Sequence, residues 1–243
     1  MYALGLLIVL LGGWEAAVRL DLVDELVLPA PTSVAQSLVD DRSLLAHDLL
    51  VTAYEAVLGL LAATLVGAAI AIVMHLWEPA RKALYPYVVG SQALPMVVLA
   101  APLLILLGFG LAPKVVIVAL VCFFPVTVNL FDGLRTVDPD QRKLLRSLHA
   151  SRLQTLTLLE ARAALPQFFT GLRVAAAVSV IGAVFAEYGG SEDGLGHLVL
   201  TSLAQLESAR TFAATFLLFA LAVLLYGALA LVERRLLPWT RPT

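Results

Sequence analysis

The residues of this chain that could carry chemistry are few, and their spacing matches no catalytic motif. No G-x-x-x-x-G-K-S/T segment occurs, so the chain holds no P-loop, and H-E-x-x-H and G-x-S-x-G are also missing. The single cysteine, Cys122, lies in an apolar run, so the chain offers neither an internal disulfide nor a cysteine metal site. His197 has no second ligand at metal-binding spacing. The sequence therefore predicts a protein that is not an enzyme and has no catalytic and no metal site.

Glu15, Glu55, His75 and Glu187 are ionisable residues inside the long apolar runs, and all four lie toward the ends of their runs. A carrier driven by protons or sodium ions typically buries paired carboxylates near the middle of the bilayer. Because these residues lie toward the helix ends and not near the midplane, an ion-coupled secondary carrier is only a distant alternative for this chain. A membrane-embedded enzyme or scaffold is a third alternative, for which no catalytic constellation is visible.

The elements that must position these residues are long apolar runs. The 243 residues are 60% hydrophobic and 14% charged, whereas soluble domains are roughly 25% charged. The mean hydropathy is +0.93, and the net charge of −2 gives no reason to expect nucleic acid as a partner. The sequence thus predicts an all-α integral membrane protein with six transmembrane helices in a single domain over 1–243, because each run reaches the roughly 20 residues needed to cross the bilayer. The runs cover about 2–18, 49–77, 84–107, 113–131, 167–187 and 212–236.

Small residues and short helices complete the predicted packing. Glycine or alanine recurs every four residues from Gly59 to Ala71, a spacing that lets another helix approach closely. A short surface helix capped by Ser33 is predicted after the proline-rich loop at 28–32. A second short helix, re-entrant or at the surface, is predicted over 195–206.

A polar stretch over about 132–166 separates the fourth and fifth runs. Asp138 is a good N-cap with Pro139 at the first helical position, and Ser151 followed by Gln154 has the capping-box spacing. Two helices are therefore predicted, each too short to cross a membrane. An apolar ridge on such a helix needs a partner in water. The first helix carries on one face Leu144, Leu145 and Leu148, with Arg142, Lys143 and Arg146 beside them.

The distribution of basic residues predicts the orientation in the membrane. With the N-terminus in the cytoplasm and six alternating spans, only Arg19, Arg42, Lys114 and Arg210 of the 16 basic residues fall on the outer side. Cytoplasmic loops carry the excess of lysine and arginine in membrane proteins. Both termini and the polar stretch are therefore predicted to be cytoplasmic.

Short segments distributed over the chain carry a family resemblance. In the polar stretch they are A-S-R-L-Q-T at 150–155 and A-A-L-P at 163–166, followed by F-T-G-L-R at 169–173. This stretch resembles the EAA coupling loop of type I ABC importer permeases, which are fed by a substrate-binding protein. L-P-A-P at 28–31, Q-A-L-P at 92–95 and G-L-G at 194–196 resemble the branch of that family that imports nitrate, sulfonates, taurine and thiamine-type pyrimidines.

The resemblance implies a permease with a cytoplasmic coupling-helix loop between helices four and five. ATP and Mg²⁺ would bind a separate ABC ATPase, present in two copies, and a periplasmic or lipid-anchored binding protein would deliver the solute. A second copy of this permease would complete a homodimer in the bacterial plasma (inner) membrane, in contact with lipid. The residues implied in ATPase coupling are Arg142, Lys143, Leu144, Leu145, Arg146, Leu148, His149, Ala150 and Ser151.

Three positions depart from the family pattern. Lys143 stands where the loop has a glutamate, His149 where it has a glycine, and Arg162 where it has a proline. A glycine is usually there to permit a positive φ, and histidine tolerates such a φ better than most residues. The segment 114–134 most resembles permeases for thiamine-precursor pyrimidines, and sulfonate, taurine, nitrate and riboflavin-like substrates are the alternatives.

Polar residues that interrupt the spans are candidates for the translocation path. Freed backbone groups inside a membrane are tolerated only against protein or water. For Gln92 and Glu187 a path role and a packing role stay equally open, whereas packing is favoured for Asn129. The candidates are Ser91, Gln92, Pro95, Asn129 and Glu187.

Overall fold

The computed structural model describes residues 2–93 and 95–240, and all regular structure in these ranges is helical. Single turns of 3-10 helix lie at 91–93 and 238–240, and a π-helical turn joins α8 to α9 over 156–160. The helices are α1 (Tyr2–Arg19), α2 (Pro31–Asp40), α3 (Arg42–Leu76), α4 (Glu78–Gly90), α5 (Met96–Leu107), α6 (Leu111–Arg135), α7 (Pro139–Ser147), α8 (Arg152–Thr155), α9 (Ala161–Tyr188), α10 (Leu195–Ala204) and α11 (Ser208–Leu236).

Four helical segments of the described residues are long and apolar enough to cross a membrane: Arg42–Leu76, Leu111–Arg135, Arg152–Tyr188 and Ser208–Leu236. The bent pair formed by α4 and α5 raises that number to five. The first predicted span is the 18-residue helix α1. The all-α membrane fold predicted from composition is therefore confirmed, and the third span is a helix broken at the predicted interruption between Gly90 and Pro95.

The centre of the molecule is formed by α3, α6 and α9. Gly59 and Gly67 of α3 are buried against α6, and a Cβ added to Gly59 would lie 2.3 Å from the Cβ of Val118. Gly171 of α9 approaches α6 as closely, because an added Cβ would lie 2.4 Å from the carbonyl oxygen of Pro125. The close helix packing predicted from the four-residue spacing on α3 is confirmed.

Three predicted helix boundaries are wrong. The fifth span does not start after Pro166, since α9 runs through this proline and α8, the π turn and α9 form one segment. The proline removes one hydrogen bond from a helix whose apolar side chains are buried along most of its length, so the packing outweighs the loss. The cap of α2 is Ala30 rather than Ser33, because Pro31 occupies the first helical position. α3 begins at Arg42, about two turns before the predicted start.

The predicted short helix in the last loop is confirmed as α10. It begins directly after Gly194, whose φ of +112° favours glycine, and it packs against α9 and α11 with Leu195 and Leu198 buried. α11 follows and presents most of its surface outward: only 6% of its most apolar 18 residues are buried inside the molecule. These placements leave α7 and α8 at one end of the helices and α10 at the other.

Candidate functional site

The first short helix of the polar stretch starts where its sequence predicts. Asp138 Oδ1 accepts a hydrogen bond from the Asp140 amide at 2.8 Å, and Pro139 is the first residue of α7. After α7, His149 takes a φ of +58°, which allows the Ala150 amide to donate to the Leu145 carbonyl at 3.0 Å. The left-handed backbone expected at His149 is confirmed.

The turn between α7 and α8 is closed by a reciprocal pair of hydrogen bonds. The Gln154 amide donates to Ser151 Oγ at 3.2 Å, and the Ser151 amide donates to Gln154 Oε1 at 2.8 Å. This is the predicted capping box, and it is confirmed. The two caps together fix the direction in which α7 leaves the membrane helices and returns to α8.

The apolar ridge of α7 faces outward. Leu144 is 61% and Leu148 is 69% exposed, while Leu145 is half-buried. Lys143 is exposed and pairs with Asp140 of the same helix at 2.8 Å. The side chain of Arg146 lies outside the described part of the chain. The structure therefore gathers the predicted coupling residues on one protruding segment, with two leucines uncovered.

A buried ion-pair cluster beneath α7 was missed by the sequence reasoning. Arg142 Nε lies 2.8 Å from Glu160 Oε1, and His75 Nε2 lies 2.7 Å from Glu160 Oε2. Arg142 also donates through Nη2 to the Leu134 carbonyl at 2.9 Å. The only signal in the sequence is that Glu160 stands in an apolar run, where a carboxylate needs a partner.

At the other end of the helices, Glu187 caps α10. Its Oε2 accepts hydrogen bonds from the amides of Gly196 at 2.5 Å and His197 at 3.2 Å, and its Oε1 accepts one from the Thr52 hydroxyl at 2.7 Å. A carboxylate at a helix N-terminus satisfies amides that have no partner within the helix. A side chain at position 194 would meet this carboxylate at 2.4 Å, which explains why Gly194 is a glycine.

Other side chains of α3 complete this attachment. The Thr52 hydroxyl accepts a hydrogen bond from the Leu195 amide at 2.9 Å, and Asp48 Oδ1 accepts one from the Gly194 amide at 3.2 Å. The four successive amides from 194 to 197 are thus all bound by side chains of α3 and α9. α10 is thereby fixed to two helices that are distant from each other in the sequence.

A second buried pair lies beside Glu187. Lys114 Nζ donates to Glu55 Oε1 at 2.5 Å and to Ser191 Oγ at 2.6 Å, which ties α6 to α3 and to the loop before α10. Glu55 is 2% exposed, and its Oε2 has no hydrogen-bond partner among the described residues. The sequence reasoning named Glu55 but not Lys114 as its partner.

One group near this loop has the side chains to hold a cation. Ligand atoms of His47, Asp48 and Asp193 lie within 4.8 Å of one another. His47 Nε2 lies 3.6 Å from Asp193 Oδ1, and Asp48 already binds the Gly194 amide. The arrangement is explained by attachment of the loop to α3, and we assign no metal to it.

The five candidate path residues do not form one site. Ser91, Gln92 and Pro95 lie at the break between α4 and α5, with Gln92 and Pro95 exposed. Asn129 donates from Nδ2 to the Pro125 carbonyl of its own helix at 2.7 Å and lies against Gly171. Glu187 is 16 residues beyond Gly171 in the same helix, which is about 24 Å. The structure thus places the candidates in three separate regions.

Comparison with known proteins gives one consistent result. Residues 53–238 match the family described as binding-protein-dependent transport system inner membrane component. The chain is 31% identical over 229 residues to the formylaminopyrimidine transport permease protein of Halalkalibacterium halodurans, covering 94% of this chain and 91% of that protein. It is 35% identical over 218 residues to a probable ABC transporter permease of Haemophilus influenzae, covering 90% and 89% of the two chains.

A sulfur-compound permease and a solved structure are also similar. The taurine transport system permease of Escherichia coli is 30% identical over 245 residues, covering 98% of this chain and 89% of its own. The crystal structure of an amino acid ABC transporter with histidines has a TM-score of 0.67 at 19% identity, covering 82% of this chain and 97% of that one. The structural similarity supports the fold alone.

Proposed function

This chain belongs to the family of inner membrane components of binding-protein-dependent transport systems, and from that premise we propose how it works in an importer. It is a multi-pass permease subunit of an ABC transporter, and ATP hydrolysis belongs to a separate subunit. The match over residues 53–238 is the observation that carries the assignment. We propose that the chain acts as a single transmembrane domain that couples through residues 142–151 to the ATPase, where ATP and Mg²⁺ bind.

The coupling role is supported by the ridge of α7. Leu144 and Leu148 are exposed leucines on a helix that lies outside the membrane spans. Full burial of a leucine stabilises a complex by about 1.5–3 kcal/mol, so a groove of the ATPase that covers the ridge gains several kcal/mol. Lys143 lies exposed beside the ridge, where its charge can attract an acidic residue of the partner, whereas Arg142 points inward to Glu160.

The test is the double variant Leu144→Asp/Leu145→Asp. We expect it to insert and fold normally, to lose association with the ATPase and to lose transport, because two carboxylates cannot be buried in an apolar groove without a partner. Leu22→Asp, at an equally exposed leucine of the α1–α2 loop, is the matched control. Co-purification of the double variant with the ATPase at wild-type yield, with transport retained, would contradict the coupling role.

Assembly and orientation belong to the same proposal. One bundle provides half of a two-sided path, so we propose a homodimer with two ATPase subunits, with both termini in the cytoplasm and a binding protein outside. Cysteines at Ser43 and Glu192, both exposed, should react with an impermeant thiol reagent added outside intact cells, and one at Ser147 should not. Outside labelling at position 147, or an active complex with one permease chain, would refute the arrangement.

The proposed substrate is an aminopyrimidine precursor of thiamine. It is supported by the resemblance of the segment 114–134 to permeases for such pyrimidines and by the 31% identity of the chain to a formylaminopyrimidine permease. The taurine permease at 30% identity keeps a sulfonate as the second candidate. Calorimetry on the binding protein encoded beside this chain should detect tight binding of an aminopyrimidine and weaker binding of taurine. Tight sulfonate binding without pyrimidine binding would select the second candidate.

For the translocation path, we propose the break between α4 and α5. Ser91 Oγ donates to the Val88 carbonyl at 2.7 Å, while the Gln92 side chain is exposed and free to face water. Asn129 and Glu187 are not placed on this path: Asn129 binds the Pro125 carbonyl of its own helix, and Glu187 caps α10. A cysteine at Gln92 should be labelled by a small polar thiol reagent, and bound solute should slow that labelling. Labelling unaffected by the solute would place the path elsewhere.

A further inference from the structure

α7 makes few described contacts with the membrane helices. None of the buried apolar clusters in the described residues includes a residue of α7. Among the α7 side chains that the structure describes, Arg142 makes the polar contacts that leave the helix. A cavity of about 510 Å³ lies beside it, between the end of α3 and the α7–α8 turn. Among the described polar contacts, a displacement of α7 therefore reaches the membrane helices through Arg142 or through the chain itself.

Glu160 contacts Arg142 with one carboxylate oxygen and His75 with the other. One carboxylate oxygen lies 2.8 Å from Arg142 Nε and the other 2.7 Å from His75 Nε2, so α7, the start of α9 and the end of α3 meet at one side chain. The Arg142 Nε hydrogen is not aimed at an acceptor, so this contact is an ion pair by distance rather than an aligned hydrogen bond. The carboxylate is 7% exposed, so water competes little for it.

The backbone around Glu160 supports a role in motion. Glu160 is the last residue of the π-helical turn that joins α8 to α9. Such turns are rare, and they are frequent at functional sites. The first and last residues of this turn, Leu156 and Glu160, are buried, while Thr157 and Leu158 between them are exposed. Arg152 adds a second link, from Nη1 to the Leu76 carbonyl at 2.9 Å.

We propose that Glu160 is a positioning residue that makes α7, α3 and α9 move as one body when the ATPase displaces α7. The inference rests on the proposed coupling of α7 to the ATPase and adds the route from that contact into the membrane. Glu160 touches neither solute nor nucleotide; it acts by holding Arg142 and His75 at the same carboxylate. Without it, α7 is attached to the membrane helices mainly by the chain itself, and the energy of ATP binding does not reach α3.

The experiment compares Glu160→Gln with Glu233→Gln in the complete complex in proteoliposomes. Glutamine keeps the shape but removes the charge that holds Arg142 and His75 together. Glu233 is the matched control, because it is also partly buried and ion-paired, with Arg173 at 3.3 Å, but lies away from α7. For Glu160→Gln we expect normal ATPase co-purification and basal hydrolysis, with at least a tenfold loss in solute transported per ATP. Glu233→Gln should transport as wild type.

Three results would overturn the inference, and a fourth would refute the proposed function on which it rests. Wild-type transport per ATP in Glu160→Gln overturns the inference, and so does an equal loss in Glu233→Gln, which would indicate general destabilisation. Failure of the wild-type complex to transport with ATP would instead refute the proposed function. If Glu160→Gln does not accumulate, spin labels at Ser147 and Val73 of an otherwise unchanged chain decide: their distance should be the same with and without trapped ATP. A change in that distance overturns the inference.

Discussion

Replacing Glu187 by glutamine should loosen α10 without changing the shape of its cap. The carboxylate accepts two backbone amides on one oxygen and the Thr52 hydroxyl on the other. Glutamine offers one acceptor and one donor group, so either the two amides or the hydroxyl lose their acceptor. Because Gly194 and Gly196 leave no room for a rearranged side chain, the lost hydrogen bonds have no substitute in the site.

The expected magnitude follows from those contacts. A hydrogen bond to a charged group contributes about 1.5–3 kcal/mol, and leaving a buried donor without an acceptor costs about 1–3 kcal/mol. Counting one such loss gives about 1.5–3 kcal/mol, which is roughly a 10- to 150-fold increase in the population with α10 detached. The global fold should persist, since Leu195 and Leu198 remain packed against α11.

Hydrogen exchange of the backbone amides measures this directly, because local opening sets the exchange rate of protected amides. In the assembled complex, peptides covering residues 194–204 should exchange roughly 10- to 150-fold faster in Glu187→Gln, by the free-energy range above. Glu192→Gln, at an exposed glutamate of the same loop, should leave the exchange unchanged. Wild-type protection in Glu187→Gln, or equal loss in both variants, would show that the carboxylate does not hold α10.

Two further predictions concern helix packing and pH. Gly171→Ala should lower the thermal midpoint by an amount equivalent to about 1–3 kcal/mol, because the new Cβ meets the rigid Pro125 carbonyl at 2.4 Å. The control Gly227→Ala, whose added Cβ has nothing within 4 Å, should change the midpoint little. Equal midpoints for the two variants would refute the close contact. The hydrogen bond from Arg210 holds the pKa of Asp41 in the folded protein below its ordinary 3.8. The pair therefore stabilises the fold fully above pH 3.8, and this stabilisation is lost as the pH falls through the pKa that Asp41 has in the folded protein. At neutral pH, Asp41→Asn should therefore lower the thermal midpoint by an amount equivalent to about 1 kcal/mol or less of unfolding free energy. This difference from wild type should shrink below pH 3.8, and a difference that grows on acidification would contradict the ion pair.

Features that depend on neighbours in the sequence could be predicted. The Ser151–Gln154 capping box and the start of α7 at Pro139 need only residues within one helical turn. The positive φ of His149 is expected from the resemblance, because the coupling loops of that family have a glycine at this position. Small residues every four positions in α3 also predict close packing, since that spacing places them on one face.

Features that depend on distant residues could not be predicted. Thr52 and Glu187 are 135 positions apart, His75 and Glu160 are 85 apart, and Glu55 and Lys114 are 59 apart. A carboxylate in an apolar run shows that it needs a partner, but the sequence does not say which of several donors reaches it. Pro166 failed as a boundary for the same reason, because contacts made elsewhere in the fold outweigh a local rule.

The hydroxyl of Thr52 has a consequence for leakage between transport cycles. It donates to Glu187 and accepts from the Leu195 amide, so the bonds of α3, α9 and α10 are linked through one oxygen atom. Linked hydrogen bonds strengthen one another, and breaking one weakens the next. We therefore expect this end of the permease to open in an all-or-none step, with few half-open states through which small solutes could escape.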